Sequence, residues 1–369
     1  MQESKGKIGI REFIAIIILS TGTKLSDDTP TLLFKEMASA AWMAPIIIGV
    51  ITFIPIYLII RILSAYKNKN LAEVIFHLLG KFFGFILIFI LLLIIFSALV
   101  VDSAVYTNII TSMYFSKTPT IAIYALLMIV CVYGAKKGIE HIGSVAWAMT
   151  FWIKISFIIS LVLTFFHGQL DFLFPILGNG QWELLKGSIL KSSIFADFLY
   201  LGFIFPFVKS KLDFKKGIWI SFSFIIIEFS LALAAYTLLF DYIGVRLMNF
   251  PYHETIRYIE AGFLENIETF FYPFWLVASF IRFTFYLYLT AIIFGSLFKI
   301  KKYEYLLPTL ATLIIFIGLI PESPTFVIFN LREKLLHFAT PFFLILPLLL
   351  WLIAKLKGDL NNEKSKPFY

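Results

Sequence analysis

Ser20-Thr21-Gly22-Thr23-Lys24-Leu25-Ser26-Asp27-Asp28-Thr29-Pro30 interrupts an apolar run that starts near Ile10 and resumes to about residue 38. Its flanks, Ile14 to Leu19 and Thr31 to Phe34, read as membrane helix. The middle does not, because Gly and Pro are poor helix formers and Ser and Thr hydroxyls can satisfy freed carbonyls. A second stretch, Lys191-Ser192-Ser193 followed by Asp197, disturbs a later apolar run in the same way. In lipid, such breaks are tolerated where they line a cavity, and transporters place their sites there, near the bilayer midplane. Gly22 also has a plainer reading, close packing of helices.

The remainder of the chain belongs in a membrane. Of its 369 residues, 60% are hydrophobic and 15% charged, and 43 are Phe. Soluble domains carry about 45–50% apolar and about 25% charged residues, so a cytosolic enzyme is excluded. Cys131, the single cysteine, lies in an apolar run, which excludes a disulfide scaffold. The formal charge of +8 leaves no basic stripe for nucleic acid. Lys5, Lys7 and Arg11 precede a short apolar stretch, but the small residues at Ala38 to Ala41 lie too far downstream for cleavage; the segment reads as a retained first helix.

A spanning helix needs roughly 20 apolar residues. Ten candidates follow within a single membrane domain, 1–369: about 10–38, 42–63, 82–114, 119–135, 145–166, 188–208, 217–240, 267–298, 305–320 and 334–355. The fold class is all-α integral membrane. With the N-terminus inside, twenty of the 31 Lys and Arg fall on the cytoplasmic side, nine opposite and two within spans, which places both termini in the cytoplasm. The disturbed spans are the first and sixth. They are corresponding members of two five-helix halves, and an odd number per half makes the halves run oppositely: a 5+5 inverted repeat with broken helices 1 and 6. The stretch Leu71 to Leu79 reads as an interfacial helix.

Lys154, Asp197, Glu228 and Arg282 fall close to mid-span. Each ionisable group there costs about 2.5–3.5 kcal/mol on the insertion scale, roughly 10–14 kcal/mol together before pairing. Two acids and two bases can pair, either to fix helix register or to form a polar pathway. Asp102 lies 20 residues beyond Phe82, about 30 Å along a helix, which puts it at the outer interface unless the third helix is long and tilted. Tyr106, Tyr200 and Tyr286 lie one turn from Asp102, Asp197 and Arg282; they line a cavity or are ordinary packed tyrosines. Trp275 and Trp351 read as core or aromatic belt. The histidines show no metal spacing, and no nucleophile elbow, HExxH or phosphate loop is present, so metal, cofactor, hydrolytic and ATP-driven chemistry are not expected.

The order of features resembles the endospore germination permeases, the B-subunits of Ger-type nutrient germinant receptors within the amino acid–polyamine–organocation superfamily. The residues are the break before Pro30, Leu71 to Lys81, Thr118-Pro119, Gly138-Ile139-Glu140, Pro175 to Leu177 with Gly180, Phe250-Pro251, and Glu265 to Glu268 leading to Trp275. Ser144 and Asn266 depart from the family, which commonly has arginine at each; the resemblance therefore does not carry over any docking or gating contact that those arginines make in relatives. The resemblance implies a pocket among helices one, three, six and eight, a place in the inner membrane of the spore (or a cytoplasmic membrane), and partner A and C subunits. Some proton-coupled members of the superfamily carry a lysine on helix five, to which Lys154 is similar in placement.

The leading expectation is therefore a spore germination protein that binds a small nutrient, an amino acid, at the midplane and signals germination. Thr21, Gly22 and Thr23 are the expected donors to its carboxylate and Asp197 the partner of its amine, with Asp102, Tyr106, Tyr200, Arg282 and Tyr286 around them. A proton or ion pathway would use Lys24, Lys154 and Glu228. The alternatives are a proton-coupled amino acid secondary transporter and a channel-like subunit passing ions or water.

Overall fold

The computed structural model describes residues 6–66, 69–259, 268–321 and 323–360. Asn266 lies outside the described residues. Helix dominates, and among the described residues the β-structure is one isolated bridge, Ile8 with Val208. The broken first helix consists of α1 (Ile10–Gly22), a 3-10 turn (Thr23–Ser26) and α2 (Thr29–Met37). Ala38 at φ +50° separates α2 from α3 (Ala44–Ala65); a residue with a Cβ seldom takes that conformation. Asn70 and Glu73 form a reciprocal cap that starts α4 (Leu71–Ile109). Gly80 at φ +74° kinks it, so Leu71 to Leu79 leaves the axis of the rest.

Beyond that kink α4 runs on through a π turn to Tyr114, about 50 Å. A helix that long must tilt to fit the hydrocarbon core. Asp102 is thereby drawn into the bundle, not left at an interface. Then come α5 (Thr120–Lys136) and α6 (Ile139–His167). The second broken helix is α7 (Gln181–Leu190), a 3-10 turn (Ser192–Phe195), α8 (Asp197–Tyr200) and a further 3-10 stretch to Phe207, with a bend of 46°. The chain continues through α9 (Lys211–Val245), the short α10 (Pro251–Tyr258), α11 (Glu268–Phe298) and α12 (Leu307–Gly318). Ser323 caps α13 (Pro324–Phe326), which passes through a π segment into α14 (Glu333–Leu356). The helical stretch that ends in α14 thus runs from Pro324, so that Arg332, Glu333 and Lys334 lie within helix and not in a loop.

Six helical stretches are long and apolar enough to cross a membrane, and the bent pair makes a seventh; Thr120–Lys136 and Tyr303–Gly318 are shorter apolar helices. Large apolar side chains face outward along them, including Phe82, Ile129, Phe151, Phe166 and Leu356. Water could not accommodate such a surface, whereas lipid does. This is a multi-pass membrane protein. The α1 helix packs against α6, α9 and α11, which places the first break at the centre.

Contacts sort the connections into two ends. Lys211 donates to the Ser64 carbonyl, Tyr66 to Asp359 at 2.6 Å and Lys357 to the Leu78 carbonyl at 2.9 Å. With the Ile8–Val208 bridge, these gather residue 8, the α3–α4 connection, the α8–α9 connection and the end of α14. At the opposite end Thr31 donates to the Met248 carbonyl at 2.7 Å, the Gln169 amide to Leu238 at 2.8 Å, and Arg257 to Met113 and Glu268.

Candidate functional site

The two breaks meet across the bundle. After the 3-10 turn Asp27 is extended, and its carboxylate accepts the Thr29 amide at 2.7 Å, which satisfies the first amide of α2. The carbonyls that the break frees are taken by tyrosines: Tyr106 donates to Thr23 at 2.7 Å and Tyr236 to Leu25 at 3.2 Å. Tyr106 also stacks on Trp275, whose indole nitrogen donates to the Ser26 hydroxyl at 2.8 Å. Water cannot satisfy these groups in lipid, so side chains must.

Lys24 bridges the breaks, donating to the Ile194 carbonyl at 2.8 Å and to the Asp197 carboxylate at 2.5 Å. Beside it two guanidiniums hold three carboxylates. Arg282 donates to Asp102, to Tyr106 at 3.1 Å and to Thr23 at 3.2 Å, with Asp27 at 3.4 Å. Arg332 donates to Asp28, to Asp27 at 2.8 Å and to Thr29 at 2.8 Å, and lies 3.5 Å from Asp102. Asp27, Asp28 and Arg282 are wholly buried. Such charges are tolerated only when paired and hydrogen-bonded.

A cavity of about 710 Å³, mouth included, opens between these groups and helices α4, α11 and α14. Lys24, Asp102, Asp197, Tyr200, Tyr286 and Arg332 line it, over a floor that includes Ile94, Leu99 and Phe283. On the other side of the first break lies a cavity of about 410 Å³, lined by Gly22, Thr23, Lys154, Glu228, Tyr252 and Trp275. Here Lys154 pairs with Glu228, whose second carboxylate oxygen is buried without a hydrogen-bond partner among the described residues. A Cβ on Gly22 would stand 3.0 Å from that oxygen and 3.1 Å from the Lys154 ammonium. Gly22→Ala should change thermal stability little, because helix propensity offsets a small shift of flexible ends. Gly22→Leu should cost about 1–3 kcal/mol through overpacking. A leucine variant that melts like the unmodified protein contradicts this close approach.

The expected site residues thus divide. Asp102, Asp197, Tyr200 and Tyr286 face the larger cavity together with Lys24; Gly22, Thr23, Lys154 and Glu228 face the smaller. Arg282 and Tyr106 lie between the two, inside the ionic cluster. Thr21 is buried and lines neither cavity. The mid-span charges pair only in part with one another: Lys154 takes Glu228, but Asp197 takes Lys24 and Arg282 takes Asp102. Sequence reading missed Arg332, assigned to a loop, and the roles of Asp27 and Asp28. The cue to Arg332 was Ser323-Pro324, a helix start upstream of it. Also missed was buried Lys191, 3.2 Å from Glu333, 3.7 Å from Glu36 and 3.4 Å from His337. The ligand atoms of Glu36, Glu333 and His337 lie within 4.8 Å of one another, and the Lys191 ammonium among them supplies the cation.

The α10 helix packs on the first break. Its His253 is fully buried, with Nδ1 2.9 Å from the Tyr114 hydroxyl and its ring edge-on to Trp275. Burial first, then Arg257, pushes its pKa down to about 3 from 6.5. The docked form is neutral, so docking is at full strength above pH 6.5. It weakens as pH falls toward 3, by about 1.4 kcal/mol per pH unit. Hydrogen exchange of α10 should accelerate below pH 6.5, and His253→Phe should remove that slope; a slope persisting in the variant assigns it elsewhere.

The sequence profile of the family described as Spore germination protein matches residues 13–327. Spore germination protein KB of Bacillus subtilis (strain 168) is 27% identical over 378 residues, 98% of each chain. Spore germination protein XB of Bacillus anthracis is 22% identical, over 75% of this chain and 78% of its own. Among solved structures, a nucleobase-cation-symport-1 family transporter, closed with bromovinylhydantoin bound, superposes with TM-score 0.56 at 14% identity, covering 88% of this chain and 75% of that one. A manganese transporter of Eremococcus coleocola gives 0.56 at 15% identity, covering 94% and 78%. A transporter-type fold, broken helices meeting over a polar cavity and a match across nearly the whole chain converge: this protein belongs to the spore germination permease family.

Proposed function

We propose that the chain is the nutrient-sensing subunit of a germinant receptor. A small zwitterionic nutrient, an amino acid, enters the larger cavity and changes the balance between conformations, which A and C subunits convert into germination. The observation that carries this reading is the Lys24 bridge from one helix break to Asp197 and Ile194 at the other, on the wall of a cavity. A ligand there touches both broken helices and can favour one of their arrangements through differential affinity. Ten spans in a 5+5 inverted repeat, with both termini cytoplasmic in the spore inner membrane, complete the proposal. The gathering of residue 8, two connections and residue 359 at one end supports that alternation. So does the charge bias: Lys24, Lys191 and Arg332 are buried inside, which leaves six of the nine opposite-side cations.

Gene deletion followed by exposure of spores to single nutrients tests the reading. Loss of response to one amino acid or a small set is expected; an unchanged response to every germinant defeats it. A second reading, proton-coupled uptake, is favoured by the buried Lys154–Glu228 pair with its open carboxylate oxygen beside Gly22. It requires accumulation of radiolabelled amino acid in proteoliposomes under a pH gradient, abolished by Glu228→Gln. Flux without accumulation would mark a channel instead.

A further inference from the structure

Lys24 carries its ammonium group to the wall of the larger cavity. A primary ammonium offers donors and no acceptor. The Lys24 ammonium is met by one backbone carbonyl, Ile194 at 2.8 Å, and one carboxylate, Asp197 at 2.5 Å. Both acceptors belong to the second break, whereas the lysine is anchored in the first, 173 residues away in sequence. The side chains of Lys24 and Asp197 keep 10% and 16% exposure, and both line the larger cavity. The contact is therefore reachable from the cavity and not sealed behind it. Local charge agrees: Asp27, Asp28, Asp102 and Asp197 face Arg282, Arg332 and Lys24. Without Lys24 the carboxylates outnumber the guanidiniums by two, and the cavity then favours a cation.

We infer that Asp197 and the Ile194 carbonyl form a subsite for a primary ammonium group, which Lys24 fills as a tethered internal ligand until an incoming amine displaces it. The tether gives the lysine a high effective concentration, so a competing amine succeeds only with further contacts in the cavity. Displacement removes the bridge between the breaks, which couples occupancy to the arrangement of the two broken helices. The location of the nutrient rests on the function proposed above; binding of an amine at this subsite does not.

Chemical complementation of the purified full chain tests it. Lys24→Ala deletes the tethered amine, and n-butylammonium chloride replaces side chain and charge together. A saturable rise in Tm of about several degrees is expected in Lys24→Ala, with none in the unmodified protein, none in Lys24→Ala/Asp197→Asn, and none with tetramethylammonium chloride at equal ionic strength. No rise in Lys24→Ala, an equal rise in the unmodified protein, or a rise that survives Asp197→Asn overturns the inference. Should Lys24→Ala fail to fold, Lys24→Met keeps the apolar stem, and ammonium chloride against tetramethylammonium chloride gives the same comparison. Complementation alongside an unchanged nutrient response of Asp197→Asn spores keeps the subsite and removes the nutrient site; an altered response without complementation does the reverse.

Discussion

Arg332→Ala should be the most damaging single substitution in the membrane core, with a loss of about 3–5 kcal/mol. The guanidinium holds Asp28 and Asp27 and donates to Thr29, and neither aspartate has exposed surface. Removing it leaves two carboxylates together in a low-dielectric interior, with Asp28 deprived of its cation and Asp27 left to Arg282 at 3.4 Å. The penalty is the desolvation of an uncompensated charge, which exceeds what the intact pair contributes. A fall in Tm on the order of 10 °C in detergent is the expected reading. Asp28→Asn in the Arg332→Ala background should recover a substantial part, because one of the stranded charges is gone. An Arg332→Ala protein that melts within about 2 °C of the unmodified chain would show that the cluster is hydrated and not buried.

Asp197→Ala should shift the nutrient dose response of spores by about 10- to 100-fold toward higher concentration. That range corresponds to the roughly 1.5–3 kcal/mol of a hydrogen bond to a charged group. Asp197 is the carboxylate on the second break that faces the cavity, and in this structure it already binds an ammonium, that of Lys24. Loss of the carboxylate weakens any amine there and also frees Lys24. Lys24→Met should move the response the opposite way, because the competitor is removed while Asp197 stays. A dose response that Asp197→Ala leaves in place argues against this cavity. A Lys24→Met loss instead of a gain would assign the lysine to the nutrient's carboxylate.

Much of this was legible along the chain. The first break was readable because Gly22, Pro30 and a cluster of hydroxyls and carboxylates are poor helix material in lipid, and Lys191-Ser192-Ser193 announces the second for the same reason. Lys154 and Glu228 stood out as charges in apolar runs, and they form a pair. Asp102 was harder, because its depth depends on how far α4 continues and tilts, which periodicity does not report. Arg332 was hidden by its neighbours: three charged residues in a row read as a loop, although burial against Asp27 and Asp28 makes one of them core.

By itself the sequence determined the medium, the helical class and the two points at which helices break, because these follow from local hydrophobicity and backbone propensity, properties a residue has whoever its neighbours are. Only the tertiary structure decided which charge meets which. Lys24 finds Asp197, Arg282 finds Asp102, and Arg332 finds Asp27 and Asp28. Ion pairs form between side chains far apart in sequence, and their partners are chosen by helix packing and tilt in an interior where no charge can remain alone.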